Sequence, residues 1–258
     1  MTRFIGIFNS KGGVGKTNVA INLAASLNYF GKDVVLVDGS LTNSNIGLNL
    51  GMSFKNTIHD VLKDRKSIND AMYVHPSGFR IIGGSISFRD LLELNDREID
   101  KIGNVFTELY GGSDFVVVDS GATLWKGNLE LLKYLNDVII VCNPELSSVI
   151  DGLKTIKTAE HLGTNVLGVI VNKAGNKGDM PLESISSLLE KRILGVIPED
   201  EHIRSAFLRK DSVVRLYPRS KAALSYKLMT SKLVGEEYEV EDNVHFMHKI
   251  MRYLGLKE

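Results

Sequence analysis

Residues 10–17 read Ser-Lys-Gly-Gly-Val-Gly-Lys-Thr, and each residue type there has a use in holding a phosphate chain. Gly12, Gly13 and Gly15 let backbone N–H groups turn toward anionic oxygens with no Cβ in the way. An apolar run precedes the segment and a helical pattern follows it, so the positive end of a helix points at the same place. Lys16 supplies a cation for the β- and γ-phosphates, and the Thr17 hydroxyl is a ligand for Mg²⁺. Ser10 stands where the general phosphate-loop pattern has its first glycine. Asp119 closes the apolar run 115–118, as suits a carboxylate holding a magnesium-bound water at the carboxyl edge of a parallel sheet. Asp38 closes the run 34–37 in the same way. These residues predict a site for a nucleoside triphosphate with magnesium.

Apolar runs at 4–8, 34–37, 115–118, 138–141, 166–171 and 193–197 are rich in Val and Ile and read as buried strands. Between them lie stretches of 3.6-residue periodicity, among them 17–30, stopped by Gly31, and 147–162, stopped by Gly163. The alternation predicts an α/β fold, a doubly wound, mostly parallel sheet with helices on both faces. Residues 1–234 form one domain, with a last core helix at 222–233. Residues 235–242 read as an acidic, solvated spacer, and 243–258 as an amphipathic helix.

The 258 residues carry 31 basic and 31 acidic side chains, so no global charge calls for nucleic acid. Cys142 is the single cysteine and lies in an apolar run, which predicts a buried thiol, no internal disulfide and a reducing compartment. No secretory signal pattern or membrane-spanning stretch is present, which predicts a cytoplasmic protein.

The segment Lys11–Thr17 resembles the deviant phosphate loop of the MinD/ParA ATPases, whose second lysine corresponds to Lys11. Matching segments follow: Val37-Asp38-Gly39, Val118-Asp119-Ser120-Gly121-Ala122, Val171-Asn172-Lys173 and Pro198-Glu199-Asp200. The likeness spans about residues 3–233 and is nearest the MinD branch, especially its archaeal members. It implies ATP and Mg²⁺ as ligands, and a phosphate cradle of Ser10, Lys11, Gly12, Gly13, Val14, Gly15, Lys16 and Thr17. It also implies Asn172 and Pro198 near the base, and magnesium held through Thr17, Asp38 and Asp119. ATP is expected to bring two copies face to face, with Lys11 of each reaching the other's phosphates. The family pattern after the second strand is Asp-x-Asp, whereas this chain reads Asp38-Gly39-Ser40. A serine hydroxyl cannot replace a water-orienting carboxylate directly, so hydrolysis is expected to be slow, with Ser40, Thr42 or Asn43 orienting the water. Losing a positioned base costs roughly 10²–10⁴-fold.

On a helical wheel, Val244, Phe246, Met247, Ile250, Met251, Tyr253 and Leu254 oppose His245, His248, Lys249 and Arg252. That pattern suits a helix lying in an anionic membrane surface; a helix packed on its own domain or on a partner subunit is the alternative. Two such tails on one dimer would bind in concert, raising avidity about 10²-fold or more. The resulting expectation is an ATP-dependent dimerising switch, peripheral on the inner face of the cell membrane and placing division or another surface machinery. A regulatory or effector protein is expected beside it. A DNA-partition ATPase using Arg204, Arg209, Lys210, Arg215 and Arg219, or a non-hydrolysing ATP-binding scaffold, are the competing readings. With one cysteine, metallocluster chemistry is excluded.

Overall fold

A computed structural model describes residues 1–87, 89–90 and 94–238; the amphipathic segment and the second half of the acidic spacer lie outside the described residues. Eight strands make one sheet: β1 (Arg3–Phe8), β2 (Val34–Gly39), β3 (Met72–Val74), β4 (Arg80–Ile82), β5 (Phe115–Ser120), β6 (Asp137–Cys142), β7 (Asn165–Ala174) and β8 (Ile193–Pro198). Their order is β3-β4-β2-β5-β1-β6-β7-β8, parallel except for the β3–β4 hairpin. The expected doubly wound sheet is therefore present. Every residue of β2 and β6 is buried, as continuous Val/Ile runs require when helices cover both faces.

The described helices are α1 (Lys16–Tyr29), α2 (Ile46–Leu50), α3 (Ile58–Leu62), α4 (Asp96–Ile99), α5 (Ile102–Leu109), α6 (Lys126–Tyr134), α7 (Leu146–His161), α8 (Leu182–Leu189), α9 (Glu201–Leu208), α10 (Val213–Leu216) and α11 (Lys221–Val234). Side chains alternate along the strands, so β1 sends Ile5 and Ile7 to one core with α1, α10 and α11. Phe4 and Phe8 go to a second core with α5, α6, α7 and α8. Gly31 and Gly163 end α1 and α7 at φ +70° and +81°, the left-handed stop that their positions predicted.

The hairpin β3–β4 has no counterpart among the strands expected from sequence. Its strands are three residues each, too short for a period-2 pattern to stand out. The start of the spacer touches the body of the domain at two points. Glu236 pairs with Lys32 at 2.6 Å, and the Tyr238 ring stands edge-on to Phe30 with centroids 5.8 Å apart. Glu236 and Glu237 are exposed, while Tyr238 is half-buried because it finds aromatic surface at the end of α1.

Candidate functional site

Strands β1, β2 and β5 are adjacent, and their carboxyl ends deliver the phosphate loop, Asp38 and Asp119 to one place, with Asp38 in register with Asp119. A cavity of about 500 Å³ opens above them, lined at one end by Gly12, Gly13, Gly15, Lys16, Thr17 and Ser40. Asn172, Pro198, Ile203, Arg204 and Phe207 line its other end. Length and chemistry suit a nucleotide: amides and a cation at one end, apolar walls with an amide at the other.

Lys16 is buried and its Nζ donates to the carbonyl of Lys11 at 3.1 Å, so the loop closes on its own cation. Burial pushes the Lys16 ammonium below its ordinary pKa, and the Asp119 carboxylate opposes that shift. Gly13 and Gly15 lie at φ +78° and +98°, where a side chain would strain the backbone. Against Gly15 there is no room either, since a Cβ would meet Asn172 Nδ2 at 2.3 Å.

Asp119 has no exposure, and neither of its carboxylate oxygens has a hydrogen-bond partner among the described residues. Burial raises its pKa well above the carboxylate range, while the Thr17 hydroxyl and Lys16 pull the other way. Two orphaned, buried oxygens beside a threonine hydroxyl fit the second shell and direct shell of a divalent cation. The site therefore suits Mg²⁺.

Asp38 differs. Its carboxylate accepts backbone N–H groups of Ser40 and Ile46, each at 3.2 Å, and so shapes the loop between β2 and α2. Burial, then the neighbouring Asp119, raises its pKa, and those amides lower it. The structure uses Asp38 first as the organiser of the loop that carries Ser40.

Ser40 Oγ donates to the Asn43 carbonyl at 2.8 Å and borders the phosphate end. Lys11 stays out of its own cavity. Its Nζ donates to Ser147 Oγ at 2.7 Å and Glu145 Oε2 at 3.1 Å at the start of α7. Ser10 also stands back, its Oγ donating to the Asp151 carbonyl at 3.2 Å, and Val14 is core, its carbonyl accepting from Asn172 Nδ2 at 2.8 Å.

Several residues here escaped the sequence reading. Asn9 donates to the Val141 carbonyl and accepts from Lys11 N, bracing the loop's entry. His59 is buried; Ser85 N–H donates to its Nδ1, which leaves Nε2 to donate to the Leu41 carbonyl at 2.8 Å, beside Ser40. Asn128 holds the loop after β5. Nothing in their local sequence marks them, because their partners are backbone groups, which a sequence does not distinguish from one residue to the next.

Residues 5–213 match the family described as the CobQ/CobB/MinD/ParA nucleotide binding domain. The chain belongs to the MinD/ParA family of ATPases. A family member from Methanocaldococcus jannaschii, an uncharacterized ATP-binding protein, is 33% identical over 92% of this chain and 89% of its own. The MinD of Pyrococcus horikoshii, solved with Mg-ADP, is 33% identical at a TM-score of 0.85, covering 90% of this chain and 96% of that one. The MinD in a MinC:MinD complex from Aquifex aeolicus is 27% identical at a TM-score of 0.77, over 93% and 99%. In this MinD/ParA chain the ligands are the family's, ATP and Mg²⁺.

The single cysteine is placed as its apolar run predicted. Cys142 is buried, and burial pushes its thiol up to about 12. No group of three or more metal-ligating side chains occurs among the described residues. None of the described helices is long and apolar enough to cross a membrane. The five basic residues at 204–219 are all exposed; Arg215 pairs with Asp211, Arg209 stands over the Tyr217 ring, Lys210 donates to the Leu48 carbonyl, and Arg204 lines the cavity.

Proposed function

We propose that the chain is a MinD-like switch. Loaded with ATP and Mg²⁺, it pairs with a second copy, attaches reversibly to an anionic membrane through residues 243–258, and positions division or another surface machinery. Hydrolysis resets it. The observation that carries the ligand half is the buried, unpartnered Asp119 carboxylate beside Lys16 and Thr17. Dimerisation draws on Lys11, held at the start of α7 next to Leu146 and Ile150, which are 56% and 44% exposed. An ammonium and two apolar side chains on one rim suit the face of a second copy.

The chain's own groups divide the work. Amides of residues 12–16 and the Lys16 ammonium grip the β- and γ-phosphates. Thr17 and Asp119 hold the cation, which when bound neutralises charge on the phosphate oxygens. Asp38 fixes the loop of residues 40–46, and the Ser40 hydroxyl orients water without accepting its proton. Transfer rests mostly on positioning and charge, so a neutral hydroxyl sustains a reduced rate.

Co-sedimentation with vesicles of phosphatidylglycerol and phosphatidylcholine tests the switch. The full chain should pellet with Mg-ATP, less with Mg-ADP, and a chain ending at residue 241 should stay in solution. Equal pelleting in the three arms would end the membrane reading.

A further inference from the structure

Thr123, in the loop between β5 and α6, sits at φ +71°. A β-branched residue rarely adopts that region, and each such residue stores strain. Thr123 is exposed, so packing around its side chain does not force the conformation. Hydrogen bonds at both ends of the residue hold it instead. Its N–H donates to the Ser10 carbonyl at 2.9 Å, which ties the loop to the phosphate loop. Its carbonyl accepts from Asn128 Nδ2 at 2.6 Å. The same nitrogen reaches the carbonyls of Gly121 at 3.2 Å and Ala122 at 3.4 Å.

Three carbonyls around one end of the Asn128 amide identify that end as the NH₂. Its oxygen faces elsewhere, is buried, and has no partner among the described residues, while Asn128 itself has no exposure. Leaving an acceptor unsatisfied is costly, and a residue needed only to fill the core would avoid that cost. The cost is met at a functional wall. Gly121 and Ala122 line the phosphate end of the cavity. A Cβ on Gly121 would fall 3.2 Å from Ser40 Oγ and 3.5 Å and 3.6 Å from Asn128 Nδ2 and Oδ1, so Ser40 and Asn128 meet on one side of the same backbone.

We propose that Asn128 is a positioning residue for hydrolysis: it clamps the strained loop 121–123 between Ser40 and the phosphate loop. The proposal rests on the ATPase reading above. Strain kept at such a place is held by its surroundings. Without the clamp Thr123 relaxes to negative φ, and the loop leaves Ser10 and Ser40. The wall that sets the γ-phosphate against its water is then lost. The grip of Lys16 and the glycine amides on the nucleotide stays.

The test compares Asn128→Ala and Asn128→Leu, the second keeping volume in the core, each with and without Thr123→Gly. Both single variants should lower kcat about tenfold or more and leave the dissociation constant for Mg-ATP within about threefold of wild type. Thr123→Gly should restore most of the lost rate, because glycine takes φ +71° without a clamp. A merely structural role of Asn128 in α6 would not respond to Thr123. Trp125, the single tryptophan, lies two residues beyond Thr123, and its emission reads the loop without turnover. Emission should shift in the Asn128 variants and return with Thr123→Gly. Unchanged kcat in the variants, or no recovery with Thr123→Gly, would overturn the proposal. Wild-type protein that binds Mg-ATP and never turns it over would instead overturn the ATPase reading on which it rests.

Discussion

Lys16 and Asp119 face the same choice from opposite sides of zero charge: each is buried where a charge is costly, and each has its ordinary use only when a ligand arrives. Lys16 spends its ammonium on a carbonyl of its own loop, and Asp119 has no partner for either oxygen. Lys16→Ala should weaken Mg-ATP about 10- to 100-fold by calorimetry, the worth of one charge-assisted contact. For Asp119 the folded pKa lies above the unfolded one, so the folded state prefers the proton. Stability from this group is full below about pH 4 and is lost as pH rises toward its raised pKa. Asp119→Asn should therefore raise the melting temperature of nucleotide-free protein at pH 7 and remove the extra stabilisation that magnesium adds to ATP. A lower melting temperature would mean that Asp119 has a structural partner after all. Ser40→Asp should raise kcat by roughly 10²-fold or more, measured by phosphate release with ATP saturating. Equal rates would show that Ser40 orients water as well as a carboxylate.

Helix α1 joins the site to the fold. It begins at the phosphate loop, and its inner face carries two buried asparagines. Asn18 accepts from Tyr226 Oη at 2.9 Å, and Asn22 accepts from the N–H of Val213 at 2.8 Å, capping α10. Asn22→Ala should cost about 1–2 kcal/mol of stability in urea unfolding, as loss of a helix cap does, with the slope unchanged. A cost near zero would show that the Ser212 cap holds the start of α10 without Asn22. These asparagines were invisible in sequence because a polar residue at helical spacing reads as surface. The phosphate loop was legible, since its glycines and lysines are contiguous and lie between a Val/Ile strand and a periodic helix. Six long strands were legible for a related reason: burial on both faces writes them as unbroken apolar runs. The β3–β4 hairpin was not, its strands being held by partners rather than by pattern. Asp38 was found but its first duty was not, because a sequence shows a carboxylate and not the amides that come to meet it.

At the scale of the whole molecule, one sheet edge holds the nucleotide and the opposite end of α1 holds the start of the tail. Glu236 pairs with Lys32 and Tyr238 stands against Phe30, so the last described residues lie beside that end of α1. The exposed apolar side chains of α7 stand beside Lys11 at the nucleotide edge. A second copy docking on that face would pull Lys11 from Glu145 and Ser147 toward phosphate, and so make pairing depend on which nucleotide is bound. Analytical ultracentrifugation of the full chain with Mg-ATP and with Mg-ADP reads this dependence directly. The mass of two chains should appear with ATP and the mass of one with ADP, whereas the same mass with either nucleotide would contradict the switch.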